Sequence, residues 1–151
     1  MVRWAAEDGI QSVDELRLDP HPWPSREAWC AARVADAERR LSALPPGTRT
    51  ILVNHWPLRQ DLVRLFRIPR FTPWCGTTKT ADWHQRWNAA LVVSGHLHMR
   101  ATDWRDGVRF EEVSLGYPRH WRPETGASGY LRQLWPGTRA PLAGGDTEWH
   151  R

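Results

Sequence analysis

The stretch "LVVSGHLHM", Leu91–Met99, decides how the rest of the chain is interpreted. Its apolar, β-branched part belongs to a run, "AALVVS", that predicts a buried strand. Gly95 follows this strand, and His96 and His98 come directly after the glycine. Histidine is an unusual choice at the end of a buried strand, whereas neutral imidazole is the commonest side-chain ligand for transition metals. The pattern therefore raises metal binding as a hypothesis.

Gly95 gives the two histidines room to act together. Glycine tolerates backbone angles that other residues avoid, so the chain can turn where the strand ends. Both imidazoles can then reach one ion from a loop, or each can hold one ion of a pair about 3.5–4 Å apart. Taken alone, the pattern Gly-His-x-His is weak evidence for a site, because a structural turn or a helix-end cap explains an isolated occurrence more often.

A second strand ends in the same way. A short strand is predicted at Thr50–Val53, and Asn54 and His55 follow it directly in the stretch "ILVNHWPL", Ile51–Leu58. In open α/β sheets, functional groups gather beyond the carboxyl ends of the strands. We therefore expect His55 to lie at the same edge of the sheet as the histidines that follow Gly95.

The remaining pattern predicts an α/β (α+β) fold. Ser25 is a suitable N-cap for a helix that runs to about Leu44, and Cys30 falls on its apolar stripe and is expected to be buried. After the histidines the apolar period changes to two, and Asp106-Gly107 predicts a tight turn within a β meander. A further strand is predicted at Gly129–Trp135.

Composition predicts one folded domain. The chain has 151 residues, a net charge of +4, 11 tryptophans and two cysteines that form no CxxC pattern. We expect a poorly defined connection at 1–24, the domain at 25–136 and a flexible tail at 137–151. No signal peptide or membrane-spanning run is recognisable, so the expected location is the cytoplasm, with no membrane partner.

These motifs resemble those of the calcineurin-like metallophosphoesterases over roughly residues 48–118. That family uses Asp-x-His, Gly-Asp, Gly-Asn-His, a lone histidine after a strand, and Gly-His-x-His; "VNHWPL" and "GHLH" match the last two. The resemblance implies a four-layer αββα sandwich that hydrolyses a phosphate ester with metal-activated water at a dinuclear site. It also implies that His55 and His96 bind one divalent ion and His98 the other, with Mn, Fe, Zn or Ni as candidates.

The first three motifs of the family are not evident in this chain. "DPH", Asp19–His21, formally fits Asp-x-His but lies in a Pro-rich stretch with no buried strand before it. The resemblance therefore implies a fragment: the C-terminal half of the fold, with the acid/base histidine and the carboxylate ligands on a missing N-terminal half. We accordingly expect little or no turnover from the isolated chain.

Two other interpretations stay open. The chain can be a non-catalytic, truncated or degenerate module that binds a metal or a partner, or a small basic domain that binds nucleic acid. Arg119, Arg122 and His120 are weaker candidates for contacts with a phosphate ester. The substrate itself cannot be chosen among nucleotides, phosphomonoesters, phosphodiesters and phosphoproteins.

Overall fold

The computed structural model describes residues 2–137 and 147–150, except for the side chain of Val2. Its α-helices in this part of the chain are α1, Val2–Ala6; α2, Asp14–Arg17; α3, Arg26–Ser42; and α4, Trp83–Arg86. Its strands are β1, Thr50–Val53; β2, Ala89–Ser94; β3, Ala101–Arg105; β4, Val108–Glu112; and β5, Glu148–Trp149. Short 3-10 turns connect many of these elements.

The strands form one mixed sheet in the order β1-β2-β4-β3-β5. Strands β1, β2 and β4 run parallel, whereas β3 is antiparallel to both β4 and β5. The mixed α/β class is therefore as expected. The four-layer sandwich needs a second sheet, and the described residues form a single sheet. The predicted strand at Gly129–Trp135 was wrong, because 127–130 forms a 3-10 turn and no strand follows it before residue 137.

Helix α3 covers one face of the sheet. Ser25 caps it as predicted, since its hydroxyl accepts a hydrogen bond from the backbone N–H of Ala28 at 3.1 Å. The apolar side of α3 packs on the buried core of the sheet through Val34, Ala37 and Leu41, which meet a cluster that includes Leu52, Val92 and Phe110. The expectation that Cys30 is buried was wrong: it is exposed, because the residues that reach the core begin one turn later.

The meander after the histidines forms as the sequence predicts. Strands β3 and β4 are antiparallel neighbours joined through Asp106 and Gly107, which both have positive φ, +53° and +76°. That pair of backbone angles matches the right-handed twist of a hairpin. The hairpin returns the chain so that β4 ends beside β2, with Glu112 opposite Ser94.

The segment predicted as a poorly defined connection, 1–24, is described from residue 2 onward. It contains α1 and α2, and Arg70 binds α1 and the turn after it through Glu7 and Asp8 at 2.9 and 2.8 Å. Much of the predicted tail, 138–146 and 151, lies outside the described residues, while Glu148–Trp149 pairs with β3 as an edge strand. Within the described ranges, no helix has the length and apolar character needed to cross a membrane.

Candidate functional site

The parallel pairing of β1 with β2 brings two histidines together. Val53 lies opposite Val93, and the backbone N–H of Gly95 donates to the carbonyl of His55 at 3.1 Å. The next side chain, His96, then places its Nδ1 3.1 Å from Nε2 of His55. Their ring centroids are 5.0 Å apart, with planes at 75°. His55 and His96 therefore lie together at one edge of the sheet, as the sequence predicts. This contact does not by itself assign them a role.

Trp56 forms a wall behind this pair. Its indole meets the ring of His55 edge-on at 5.0 Å and lies tilted against His96 at 6.0 Å. The side chain of Asn54 donates to the carbonyl of Trp56 at 2.8 Å, which stabilises the turn that leaves β1. These ring contacts pack the indole against both imidazoles and help to set their orientation.

His98 has different surroundings from the other two histidines. Its backbone φ is +57°, in the left-handed region, so the chain reverses there after Gly95. Its exposed ring meets the ring of Tyr117 edge-on at 4.5 Å. Among the described residues no group of three His, Cys, Asp or Glu side chains is arranged to hold a metal ion. The three predicted ligands therefore form a close pair and a separate third histidine.

Tyr117 connects His98 to two of the weaker candidates. The ring of His120 lies 5.9 Å from that of Tyr117, and the guanidinium of Arg119 stacks over the phenol at 4.5 Å. Arg119 also donates from Nε to Nε2 of His120 at 3.2 Å. These side chains place a cation beside the histidine edge, where a phosphate anion can be bound.

Burial lowers the pKa of His96. The loss of water around the ring is the largest cause, and nearby His55 and His98 lower the pKa further because a second positive charge is unfavourable there. The carboxylate of Asp14, on α2, acts in the opposite direction. The net effect favours neutral imidazole, which is the form that accepts a proton or coordinates a metal.

An open groove of about 640 Å³ begins at Pro57, two residues beyond His55. Gly76 closes one side of it: its φ is +130°, and a Cβ there would lie 2.9 Å from the carbonyl oxygen of Pro57. The exposed lining is mainly apolar, and the residues around it carry both signs of charge. Its charged and polar members are Arg3, Arg59, Glu27, Gln60, Thr72, Thr77 and Thr78. The volume is in the range of sites that bind small organic molecules.

Sequence analysis missed two contributors to this edge. Tyr117, which contacts His98, lies in a stretch where no regular pattern marks it. Glu112 is buried where β4 ends next to the histidine turn, and the two-residue alternation of β4 would have placed it on the face of Phe110. The meaning of that burial depends on which strand lies beside β4, which the sequence does not tell.

Taken together, fold and site define a mixed α/β domain with histidines at the carboxyl edge of a parallel strand pair. No protein-family model matches the chain. It is similar to the acyl-carrier-protein phosphodiesterase PptH of Mycobacterium tuberculosis (strain ATCC 25618 / H37Rv), with 54% identity over 133 residues. This match includes 87% of the chain and 40% of the relative, so the chain spans less than half of that protein's length.

The same relative is matched in three dimensions. The crystal structure of the phosphopantetheinyl hydrolase PptH from Mycobacterium tuberculosis superposes with a TM-score of 0.83 and 48% sequence identity. The superposition covers 93% of this chain and 50% of the solved one. The backbone of the domain is therefore shared with about half of that enzyme.

These comparisons correct the resemblance drawn from the motifs. The expected membership of the calcineurin-like metallophosphoesterases was wrong, because the similarity found is to PptH and no family model matches. Two strand-end histidine motifs are short, and many folds can place a histidine after a strand. The roles of His55, His96 and His98 have to be argued from their geometry.

Proposed function

We propose that this chain carries the histidine part of a phosphodiester hydrolase that releases phosphopantetheine from acyl-carrier protein. The observation that carries the proposal is the 3.1 Å approach of His55 and His96 at a sheet edge, in a chain 54% identical to a protein named as such a phosphodiesterase. In the reaction, water adds to phosphorus and the ester bond to the carrier protein breaks. The carrier hydroxyl takes a proton, and phosphopantetheine leaves as a phosphomonoester.

The histidine pair is suited to bind a divalent metal ion. Nε2 of His55 and Nδ1 of His96 are close enough to be two ligands of one ion, and the lowered pKa of His96 keeps its ring neutral. His98, facing Tyr117, is the proposed ligand of a second ion. A bound divalent ion would polarise the phosphate and activate water. Because a third ligand is not gathered within the described residues, we expect weak binding and slow turnover.

The groups around the pair account for the rest of the substrate. Arg119, over Tyr117, is placed to neutralise an oxygen of the phosphodiester. The groove that begins at Pro57 combines a mainly apolar lining with hydroxyl, amide and guanidinium groups and the Glu27 carboxylate. An apolar lining with a few polar groups suits a pantetheine arm, whose amides and hydroxyl are spaced along a hydrocarbon chain. The proposed order along the surface is carrier protein, phosphate at the histidines, and arm in the groove.

NMR mapping with free phosphopantetheine tests this placement. We expect the product to shift the ¹H–¹⁵N signals of Asn54–Trp56, Gly95–His98 and the groove residues Thr77 and Thr78. A matched comparison with inorganic phosphate should shift the histidine signals alone. Shifts confined to other surfaces, or none at millimolar ligand, would contradict the proposal.

One observation favours a second candidate, a metal- or partner-binding module without turnover. Among the described residues no carboxylate joins the two imidazoles in a group that could hold a metal ion, whereas hard cations are held mainly by carboxylate oxygens. This candidate predicts binding of phosphopantetheine with no release from the carrier protein. Assays of binding and of release on one preparation separate the two.

A further inference from the structure

Glu112 is a buried carboxylate beneath the histidine turn, Gly95–Met99. It ends β4 directly opposite Ser94, the last residue of β2, and only 7% of its surface is exposed. The backbone N–H of Val113 donates to the carbonyl of Ser94 at 2.8 Å, so the chain segments on both sides remain in register. A carboxylate at this depth is costly unless its oxygens are bound, which makes its surroundings informative.

The two oxygens of Glu112 have different surroundings. Oε2 accepts a hydrogen bond from the hydroxyl of Ser114 at 2.8 Å. Oε1 is fully buried and has no hydrogen-bond partner among the described residues. A buried acceptor without a partner usually indicates an ordered water or ion.

A small cavity lies where such a water is needed. Its volume is about 20 Å³, enough for one water molecule. Glu112 lines it together with Ser94, Leu97 and Met99, the last two of which alternate with the histidines along the turn. Arg64 and Asp103 also line it and satisfy each other through two hydrogen bonds of 3.0 and 2.5 Å. Glu111 lines it as well.

The electrostatic environment indicates which groups face the carboxylate. Burial raises the pKa of Glu112, while the Ser114 hydroxyl and the backbone N–H groups of Leu97, Ser114 and Met99 favour the ionised form. Two of these backbone groups belong to the histidine turn. Leu97 and Met99, on either side of His98, line the same small cavity as Glu112.

We infer that Glu112 is a positioning residue that fixes the histidine turn, through the amides of Leu97 and Met99 and through one water bound between Oε1 and the turn. The fixed turn in turn holds Nδ1 of His96 against Nε2 of His55. Any effect of Glu112 on phosphodiester hydrolysis rests on the proposed function, whereas its effect on the orientation of His96 does not. An imidazole that is held in one orientation needs no reorganisation when it binds a ligand.

The neighbouring residue provides a matched control. Glu111 has the same chemistry and is 1% exposed, but its side chain is on the opposite face of β4. There it accepts hydrogen bonds from the hydroxyl of Thr102 at 2.7 Å and from Arg132 at 2.6 Å. Substitution of Glu111 therefore disturbs a buried carboxylate without removing a partner of the histidine turn.

The test records the imidazole ¹⁵N signals and the amide hydrogen exchange of the metal-free chain. Wild type should show His55 and His96 in fixed, hydrogen-bonded tautomers. Glu112→Ala should move both signals toward those of free imidazole and speed amide exchange at Leu97 and Met99 by about tenfold or more, as local opening predicts. Glu112→Gln keeps one acceptor oxygen and the side-chain shape, and should shift the same signals in the same direction by a smaller amount.

Glu111→Gln should reduce the urea midpoint and leave the imidazole signals of His55 and His96 unchanged. The inference is overturned when the Glu112 variants keep the wild-type imidazole signals, or when Glu111→Gln moves them equally. If Glu112→Ala does not fold, Glu112→Gln replaces it in the test. The smaller effect of Glu112→Gln must then fall on the imidazole signals and on the amides of Leu97 and Met99, and must be absent from Glu111→Gln. Because no metal or substrate is added, this test does not depend on whether the chain hydrolyses the phosphodiester.

Discussion

Nε2 of His55 lies 3.1 Å from Nδ1 of His96, although the two residues are 41 positions apart in the chain. The contact is a direct product of the parallel register of β1 and β2, which ends both strands at one edge. Because the backbone of Gly95 is hydrogen-bonded to His55, small changes in either strand end will alter the geometry of the pair.

The pair should bind a divalent ion more tightly than either histidine alone. Titration calorimetry with Zn²⁺ should show that His55→Ala and His96→Ala each lose at least about tenfold in affinity, because even indirect changes at metal sites cost that much. His98→Ala should affect the first binding event less, since its ring faces Tyr117. Equal losses in all three variants would show that one shared site uses all three rings.

Arg119 should contribute to binding of the substrate more than to its turnover. Arg119→Ala removes the cation above Tyr117, and we expect KM for the proposed substrate, holo acyl-carrier protein, to rise about tenfold with a smaller change in kcat. Arg40→Ala, at an exposed position of α3, is the charge-matched control and should leave both constants unchanged. A similar rise in both variants would indicate a general charge effect.

Gly76 should resist substitution because of a close backbone approach. A Cβ at this position would lie 2.9 Å from the carbonyl of Pro57, and its φ of +130° is a region that side chains avoid. Gly76→Ala should reduce the free energy of unfolding by about 1–3 kcal/mol and weaken binding in the groove. Gly107→Ala also has positive φ but meets nothing within 4 Å, so urea titration should show a smaller loss.

The ion pair between Arg64 and Asp103 should be important to stability. Their side chains are 17% and 7% exposed, and removal of one partner leaves a charge in a poorly solvated place. Arg64→Met should therefore cost about 3 kcal/mol in the free energy of unfolding. Arg39→Met, which breaks an exposed pair with Asp36, should change the urea midpoint little. Equal effects would mean that the buried pair contributes no more than a surface one.

The two cysteines should differ strongly in reactivity. Burial raises the pKa of the Cys75 thiol to about 11, so it stays neutral at ordinary pH, whereas Cys30 is exposed. Mass spectrometry after iodoacetamide treatment at pH 8 should find Cys30 alkylated and Cys75 unmodified. Because folding raises the pKa of Cys75 above 9.0, its contribution to stability is complete below pH 9.0 and is lost as the pH rises through about 11. Cys75→Ala should remove that part of the alkaline loss.

The sequence was sufficient for the elements whose signals are local. The Ser25 cap, strands β1 and β2 and the Asp106-Gly107 turn depend on short-range patterns, and all are found where they were predicted. Cys30 was misplaced because a helical stripe gives the buried side of a helix but not how far along the helix the sheet extends. The strand predicted at Gly129–Trp135 has suitable residues but no neighbouring strand with which to pair.

The site was only partly accessible to sequence reasoning. The meeting of His55 with His96 followed from the rule that parallel strands end at one edge. The contact of His98 with Tyr117 depends on a left-handed backbone angle and on the return of the chain after β4, neither of which has a pattern. Family membership failed because it rested on two short motifs, whereas similarity along 87% of the chain points to PptH.

Release of phosphopantetheine from holo acyl-carrier protein is the most direct test of the central claim. The chain is incubated with Mn²⁺ and the carrier, and mass spectrometry measures the carrier that has lost the group. We expect slow release by wild type, a loss of at least about a hundredfold in His55→Ala and His96→Ala, and no change in His21→Ala, an exposed histidine. Equal release by wild type, His55→Ala and His96→Ala would contradict the account. So would the absence of any release by the wild-type chain.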